Sequence, residues 1–255
     1  MPGSGTAIIV GASGGIGGAL AHALLDSGAF AAVVALSRAG DQPVVADDPD
    51  RVTRLLHGTI DLLDEQSIIA AVQGPVAQAH AGIPSAAPRL VLVATGALQG
   101  EGISPPERNL RALDAASLMR SYQVNAIGPA LVAKHMLPLL PRTGRSVFAA
   151  LSARVGSIGD NRLGGWHAYR ASKAALNMIL RNLAIELART HPEALCLGLH
   201  PGTVDTALSR PFQGGVTKEL FTPAFAAARL LSVVEAATPA QSGQVLAWDG
   251  IPIPP

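Results

Sequence analysis

Tyr169 and Lys173 stand four residues apart in the run Tyr169-Arg170-Ala171-Ser172-Lys173-Ala174-Ala175-Leu176-Asn177. Residues at this spacing share one face of a helix, so the phenol and the ammonium would lie side by side. A free phenol titrates near about 10, too high for ready proton exchange at neutral pH. A neighbouring cation stabilises the phenolate, so the spacing predicts a tyrosine of lowered pKa that serves as a general acid or base. A solvated helix pair would carry the same letters. The meaning of the pair therefore depends on what else the chain contains.

A second constellation is Gly11-Ala12-Ser13-Gly14-Gly15-Ile16-Gly17, placed between the apolar run Thr6-Ala7-Ile8-Ile9-Val10 and a helical stretch that reaches Asp26. A strand–turn–helix of this kind offers backbone N–H groups and the positive end of a helix dipole to a pyrophosphate. Glycines allow both the tight turn and the close approach. Packing alone can also demand such a turn, and Gly11-Ala12-Ser13-Gly14-Gly15 satisfies the G-x-S-x-G pattern of a hydrolase elbow. A nucleophile there would leave the Tyr169–Lys173 pair without a purpose.

A dinucleotide reader also needs a selective residue at the end of the second strand, acidic for NAD and basic for the 2′-phosphate of NADP. The chain has Leu36-Ser37-Arg38 there, a hydroxyl beside a guanidinium fork, and this favours NADP. Asp61, ending the third strand, suits either the adenine amino group or the N-cap of the following helix.

The elements that must carry these residues alternate. Strands are expected at 6–10, 32–36, 52–60, 90–94, 146–151, 195–200 and 244–248. Helices are expected after the glycine turn, over 64–73 with Gly74-Pro75 closing it, from a cap at Asp114 to about Leu137, over 166–190, and from Thr222-Pro223. Strands alternating with helices predict an α/β fold, a doubly wound Rossmann-type parallel sheet with helices on both faces. No linker, repeat or low-complexity tract divides residues 1–255, which read as one domain. Asp41 to Asp50 reads as a polar surface loop. Residues 201–220 are the longest stretch of little regularity, the usual character of a lid.

Composition narrows the function. Apolar residues make up 49% of the chain and charged ones 15%, which suits many buried faces, and a net charge of +1 favours neither nucleic acid nor an anionic membrane. Cys196 is the single cysteine, so no intrachain disulfide forms, and its apolar surroundings read as a buried strand. No Lys or Arg precedes Arg38, and glycines interrupt the early apolar stretch. Neither a signal peptide nor a membrane helix is expected, and the expected location is cytoplasmic. The seven histidines are scattered without ligand spacing, so no metal is expected. His167 could touch a substrate or simply open a helix. Trp166 and Trp248 read as core or interface. Aromatic residues are too few to argue an aromatic pocket.

Four motifs in order and spacing make the chain resemble the short-chain dehydrogenase/reductase family along its whole length. They are Gly11-x-x-x-Gly15-x-Gly17, Asn125 in Val124-Asn125-Ala126-Ile127-Gly128-Pro129, Tyr169-x-x-x-Lys173, and Pro201-Gly202-Thr203-Val204-Asp205-Thr206. Gly156-Ser157-Ile158, Asp160-Asn161, Gly164-Gly165-Trp166 and Ser242-Gly243-Gln244-Val245 resemble the branch that holds the C-factor signalling protein and the sniffer-type carbonyl reductases.

The resemblance implies NADP(H), a small carbonyl or alcohol substrate, and a homodimer or homotetramer formed through the two long helices. Tyr169 would give a proton to the carbonyl oxygen, Lys173 would tune it and hold the nicotinamide ribose, and Asn125 would hold a relay water. The cofactor would meet Gly11, Ser13, Gly15, Ile16, Gly17, Ser37, Arg38, Asp61, Thr95, Gly96, Pro201, Gly202, Thr203, Val204 and Thr206. Thr95-Gly96-Ala97 stands where the family usually has Asn-Asn-Ala-Gly. In Leu151-Ser152-Ala153-Arg154-Val155-Gly156-Ser157, Ala153 falls on the family's usual catalytic serine. Ser152 is the preferred substitute and Ser157 the other candidate, with residues 152–166 forming the wall opposite the lid. A signalling or interaction protein that binds NADP without turnover is the alternative the same resemblance allows.

Overall fold

Thr6-Ala7-Ile8-Ile9-Val10 forms β1 (Thr6–Val10), buried at every position, as a strand covered on both faces must be. In the computed structural model, which describes residues 5–38, 44, 48–81, 86–215 and 220–255, α1 (Gly15–Ser27) and β2 (Ala32–Ser37) follow. Next come α2 (Pro49–Arg54) and β3 (Leu55–Thr59). The strand expected from residue 52 thus begins at Leu55. Asp48 accepts a hydrogen bond from Asp50 N and Pro49 opens the first turn, so residues 49–54 are helical instead. Most of the loop read at 41–50 lies outside the described residues.

Asp64, not Asp61, caps α3 (Glu65–Ala71), accepting from Gln66 N at 2.9 Å. Gly74-Pro75 does not close this helix. A π turn, Val72–Val76, carries it into α4 (Ala77–His80). The wider turn takes up a proline that lacks an N–H and would crowd an α-helical carbonyl. After β4 (Pro88–Val93), Asp114 caps α5 (Ala115–Tyr122), which runs through a second π turn, Gln123–Ile127, into α6 (Gly128–Met136). Then follow β5 (Ser146–Leu151), α7 (His167–Leu187), β6 (Ala194–His200), α8 (Pro223–Ala236), β7 (Val245–Ala247) and β8 (Pro252–Ile253).

The strands make one sheet in the order β3-β2-β1-β4-β5-β6-β7-β8, parallel except for β8 against β7. This two-residue edge, rich in proline, offers no period to read in sequence. Strand alternation sorts the core. Ile8, Val10, Val34 and Phe148 face α3, α4, α6 and α7, while Ala7, Ile9, Val33 and Leu195 face α1 and α8. Both layers leave the carboxyl ends of β1, β4, β5 and β6 open on one side, the crevice where open α/β sheets take ligands. Among the described residues, no helix is long and apolar enough to cross a membrane.

Candidate active site

The crevice begins at the glycine turn. Gly11 has a φ of 92°, open to glycine, and its N–H donates to Leu36 O at 2.9 Å, tying the turn to the end of β2. A Cβ on Gly17 would stand 2.1 Å from Gly11 O, so only glycine lets α1 start this close to β1. Gly17 thus packs the helix on the turn and does not line the cleft. At Gly15 a Cβ would come 2.9 Å from Thr206 Cγ2, which brings the loop after β6 against the turn. The first turn of α1 has neither an acidic residue nor a side-chain cap, so its N–H groups and dipole stay available to an anion.

Two adjoining cavities fill the crevice. The first, 450 Å³, is lined by Gly11, Ser13, Ser37, Arg38, Asp61, Thr95 and Gly96 among others. The second, 570 Å³, is lined by Gly15, Ile16, Ser152, Tyr169, Lys173 and the stretch Pro201–Val204 with Thr206. They share Gly14, Arg38, Ala94, Thr95, Gly96, Ala207 and Leu208, which makes them one continuous cleft. All the cofactor residues expected from sequence line it except Gly17. Asp61 turns an oxygen back to Leu63 N at 3.0 Å while facing the cleft. Ser37 Oγ and Thr95 Oγ1 are buried there with no hydrogen-bond partner among the described residues. Buried hydroxyls are seldom left so, and each has a hydrogen bond to offer a polar ligand. Together with the glycine cradle and the uncapped helix, these orphans fit a phosphate-bearing dinucleotide.

At the second cavity α7 brings Tyr169 and Lys173 together. The Lys173 ammonium lies 5.8 Å from the centroid of the Tyr169 ring and donates to Leu151 O at 2.8 Å. The surroundings of Tyr169 do not produce the lowered phenol pKa expected from the spacing. Burial pushes Tyr169 up to about 12 and Lys173 down to about 8. The cation lies against the ring and gives its hydrogen bond to a backbone carbonyl, so desolvation outweighs charge stabilisation.

Asn125 sits in the π turn, fully buried, and lines neither cavity. Its amide is held on both sides by Ala97, accepting from N and donating to O at 2.8 Å each, and its Nδ2 also reaches Ser121 and Ser172. Asn125 Oδ1 and Lys173 Nζ both lie within 3.5 Å of where a Cβ on Gly96 would stand. The asparagine therefore locks the end of β4 beside the lysine.

The two serine candidates separate. Ser152 lines the cavity, and its hydroxyl donates to Asn177 Oδ1 at 2.5 Å. Ser157 does not line it. Its Oγ accepts from Asp160 N at 3.0 Å and donates to Pro255 O at 3.5 Å, a structural tie. Ala153 lines the cavity without a donor.

Sequence reasoning missed the aromatic wall. Trp166 and Phe212 line the cavity with Tyr169, their rings edge to face at 5.5 Å, and Trp166 lies 6.4 Å from the Tyr169 ring. Trp166 thus belongs to the cavity wall rather than to the core. Its proximity in sequence to Tyr169 was the one available signal. Phe212 comes from the 3-10 turn Arg210–Gly215, for which no periodicity could speak. Leu98, Val155 and Leu208 complete the apolar lining. His167 opens α7 and lines neither cavity, whereas His200 lines the second. The expected lid is anchored where Val204 pairs with Phe221 and where Ser209 Oγ bonds Val204 O; residues 216–219 lie outside the described residues. Among the described residues, no cluster of three possible metal ligands occurs.

Comparison with known proteins extends this picture. A 1-hydroxy-2-glutathionyl-2-methyl-3-butene dehydrogenase of Rhodococcus sp. is 38% identical over 138 residues, 54% of this chain and 58% of its own length. The C-signal of Myxococcus xanthus is 35% identical over 144 residues, 56% of this chain and 81% of its own. This bears out the branch named from sequence. The chain thus matches little more than half of the first relative. The crystal structure of an NADPH-bound carbonyl reductase from chicken fatty liver shares 25% identity over 98% of both chains, with a TM-score of 0.76. The family model described as short chain dehydrogenase matches residues 5–215. With its cleft, its glycine turn and its tyrosine–lysine helix, the chain belongs to the short-chain dehydrogenase family.

Proposed function

We propose that the protein is an NADPH-dependent carbonyl reductase acting on a small apolar carbonyl compound. The observation that carries this reading is Tyr169 and Lys173 side by side on the wall of a cavity continuous with the cleft at the glycine turn. Gly11–Ile16 and the start of α1 would hold the pyrophosphate, and Ser37 and Arg38 the 2′-phosphate. Thr95, Thr203 and Thr206 would meet the sugar and carboxamide groups. Held there, NADPH would be the source of the hydride that a carbonyl carbon needs.

The chain's own contribution is the proton. A phenol held near 12 is fully protonated at neutral pH and is placed to donate as charge builds on the carbonyl oxygen. Lys173, cationic below about 8, stabilises the phenolate left behind. Asn125 keeps the end of β4 in register with the lysine. Ser152 donates its hydrogen bond to Asn177 Oδ1, so we assign it the job of fixing α7 against β5, with Tyr169 as the donor to the substrate. Trp166, Phe212, Val155 and Leu208 exclude water, and residues 201–220 act as the lid. Exposed Met119, Met178 and Ile185 on α5 and α7 support a homodimer or homotetramer, and the expected location is cytoplasmic.

A second reading has its own support. Ala153 offers no donor, Ser152 has committed its own, and the C-signal is among the relatives. A protein that binds NADPH and signals by interaction would need no turnover. The test is NADPH oxidation with a panel of aldehydes, ketones and quinones. Turnover that disappears in Tyr169→Phe supports the reductase. Tight NADPH binding with no turnover, indifferent to that substitution, overturns it in favour of the second reading.

A further inference from the structure

Trp166 is the one non-glycine residue with positive φ among the described residues, at 50°, and it follows Gly164 and Gly165, each at 64°. Three consecutive left-handed residues lead into α7. The third carries a large side chain in a region that L residues seldom adopt and that persists only where surroundings over-determine it. The surroundings are identifiable. Trp166 N donates to Glu107 O at 2.6 Å, and the Glu107 carboxylate accepts from Ala168 N with both oxygens at 3.3 Å. A Cβ on Gly165 would stand 3.1 Å from Glu107 O, so the turn is pressed against this residue. On the other side Arg170 holds Gly165 O and Val155 O.

Glu107 is only 4% exposed, and no described cation forms an ion pair with it. A carboxylate is costly to bury unpaired, and here its charge meets the positive end of the 21-residue α7. It lines neither cavity. What it does fix is the backbone of the residue whose ring, edge to face with Phe212, walls the substrate cavity.

We propose that Glu107 is a positioning residue for substrate selectivity. By clamping the left-handed turn and the first N–H groups of α7 it sets the orientation of Trp166, and through it the apolar wall against which the carbonyl compound is held. The kinetic half of this inference rests on the carbonyl-reductase reading; the structural half does not.

The test uses the full chain with Trp248→Phe, which leaves Trp166 as the sole tryptophan. Glu107→Ala should shift Trp166 emission to the red and make it more open to acrylamide. In the same protein KM for a bulky apolar carbonyl should rise about tenfold, with kcat and NADPH affinity within about threefold of the parent. Glu107→Gln keeps one acceptor and should rescue most of both effects. Unchanged Trp166 emission in a folded Glu107→Ala overturns the proposal. So does a parallel loss of kcat, NADPH affinity and thermal stability, the mark of a merely structural residue. Should Glu107→Ala not fold, Trp166→Gly decides. It should raise the same KM and erase any further effect of Glu107→Ser, which removes both carboxylate acceptors, and additive effects overturn the coupling. If the parent turns over no carbonyl, the reductase reading fails alone, and the fluorescence comparison still judges Glu107.

Discussion

At one end of the cleft the turn from Gly11 to Ile16 presents backbone, and at the other Trp166, Tyr169 and Phe212 present side chains gathered from the start of α7 and the turn after β6. The backbone cradle at the first end is made within seven consecutive residues, Gly11 to Gly17. What it requires is the absence of atoms, as the 2.1 Å left for a Cβ on Gly17 makes plain. The second end is assembled from segments far apart in sequence, and one wall residue is kept in an unfavoured conformation by contacts behind it. A backbone cradle recognises what every dinucleotide shares. A side-chain wall can be altered without disturbing that recognition. The two ends should therefore fail separately.

The sharpest separation comes from Tyr169→Phe. Removing the proton donor should lower kcat for carbonyl reduction by about 10²–10⁴ while NADPH affinity, measured by cofactor fluorescence, stays nearly constant. Loss of both together would mean that the two ends are one unit. Arg38→Asp attacks the opposite end. Placing a carboxylate where a 2′-phosphate is expected should swing the ratio of kcat/KM for NADPH over NADH by about 10² toward NADH. An unchanged ratio would remove the 2′-phosphate assignment.

Gly17→Ala tests whether the cradle is a matter of space. It should cost about 1–3 kcal/mol of stability in a urea titration and weaken NADPH binding, since the methyl group would meet rigid backbone. Gly14→Ala, whose Cβ has 3.3 Å, should be far milder.

How far each end could be read from sequence follows the same division. The glycine turn, Arg38 and the Tyr169–Lys173 spacing are local patterns, and the structure gathers them on one cleft. The strand and helix order was legible because β-rich apolar runs alternate with helical ones. The errors came where local signals compete. Pro75 read as a helix stop but is absorbed by a π turn, and residues 52–54 read as strand but follow the Asp48 cap into a helix. Phe212 and Glu107 left no pattern, and Trp166 only its nearness in sequence to Tyr169, because the proximity of the three exists only after β4, β5 and β6 align in the sheet. The ammonium's effect on the phenol also depended on burial, which spacing alone does not reveal.

That burial gives the comparison a pH axis. Lys173, pushed down to about 8, loses its charge as pH rises through that value, while Tyr169 at about 12 stays protonated. Carbonyl reduction should therefore be full below pH 8 and fall above it by up to about tenfold per unit, as phenolate stabilisation disappears. A rate profile should show that limb in the wild type. In Lys173→Arg, where the cation persists, whatever activity remains should lack it. NADPH binding at the Arg38 end should not follow the same curve.

The smallest expected effects lie with the serines, and they probe whether the substrate end contains a second donor. A group donating directly to the reacting oxygen is worth about 10²–10³ in kcat. Ser152 spends its proton on Asn177 Oδ1, so Ser152→Ala should cost less than about tenfold and Asn177→Ala about the same, both through a loosened α7. A loss of 10² or more in Ser152→Ala alone would show that the hydroxyl swings to the substrate. Ser157→Ala should leave kcat and KM untouched and lower stability by about 1 kcal/mol, since its hydroxyl joins Asp160 N and Pro255 O outside the cavity. If Ser157→Ala were instead the damaging substitution, the wall between Ser152 and Trp166 would have to move to bring it in, and the separation of the two ends would not hold.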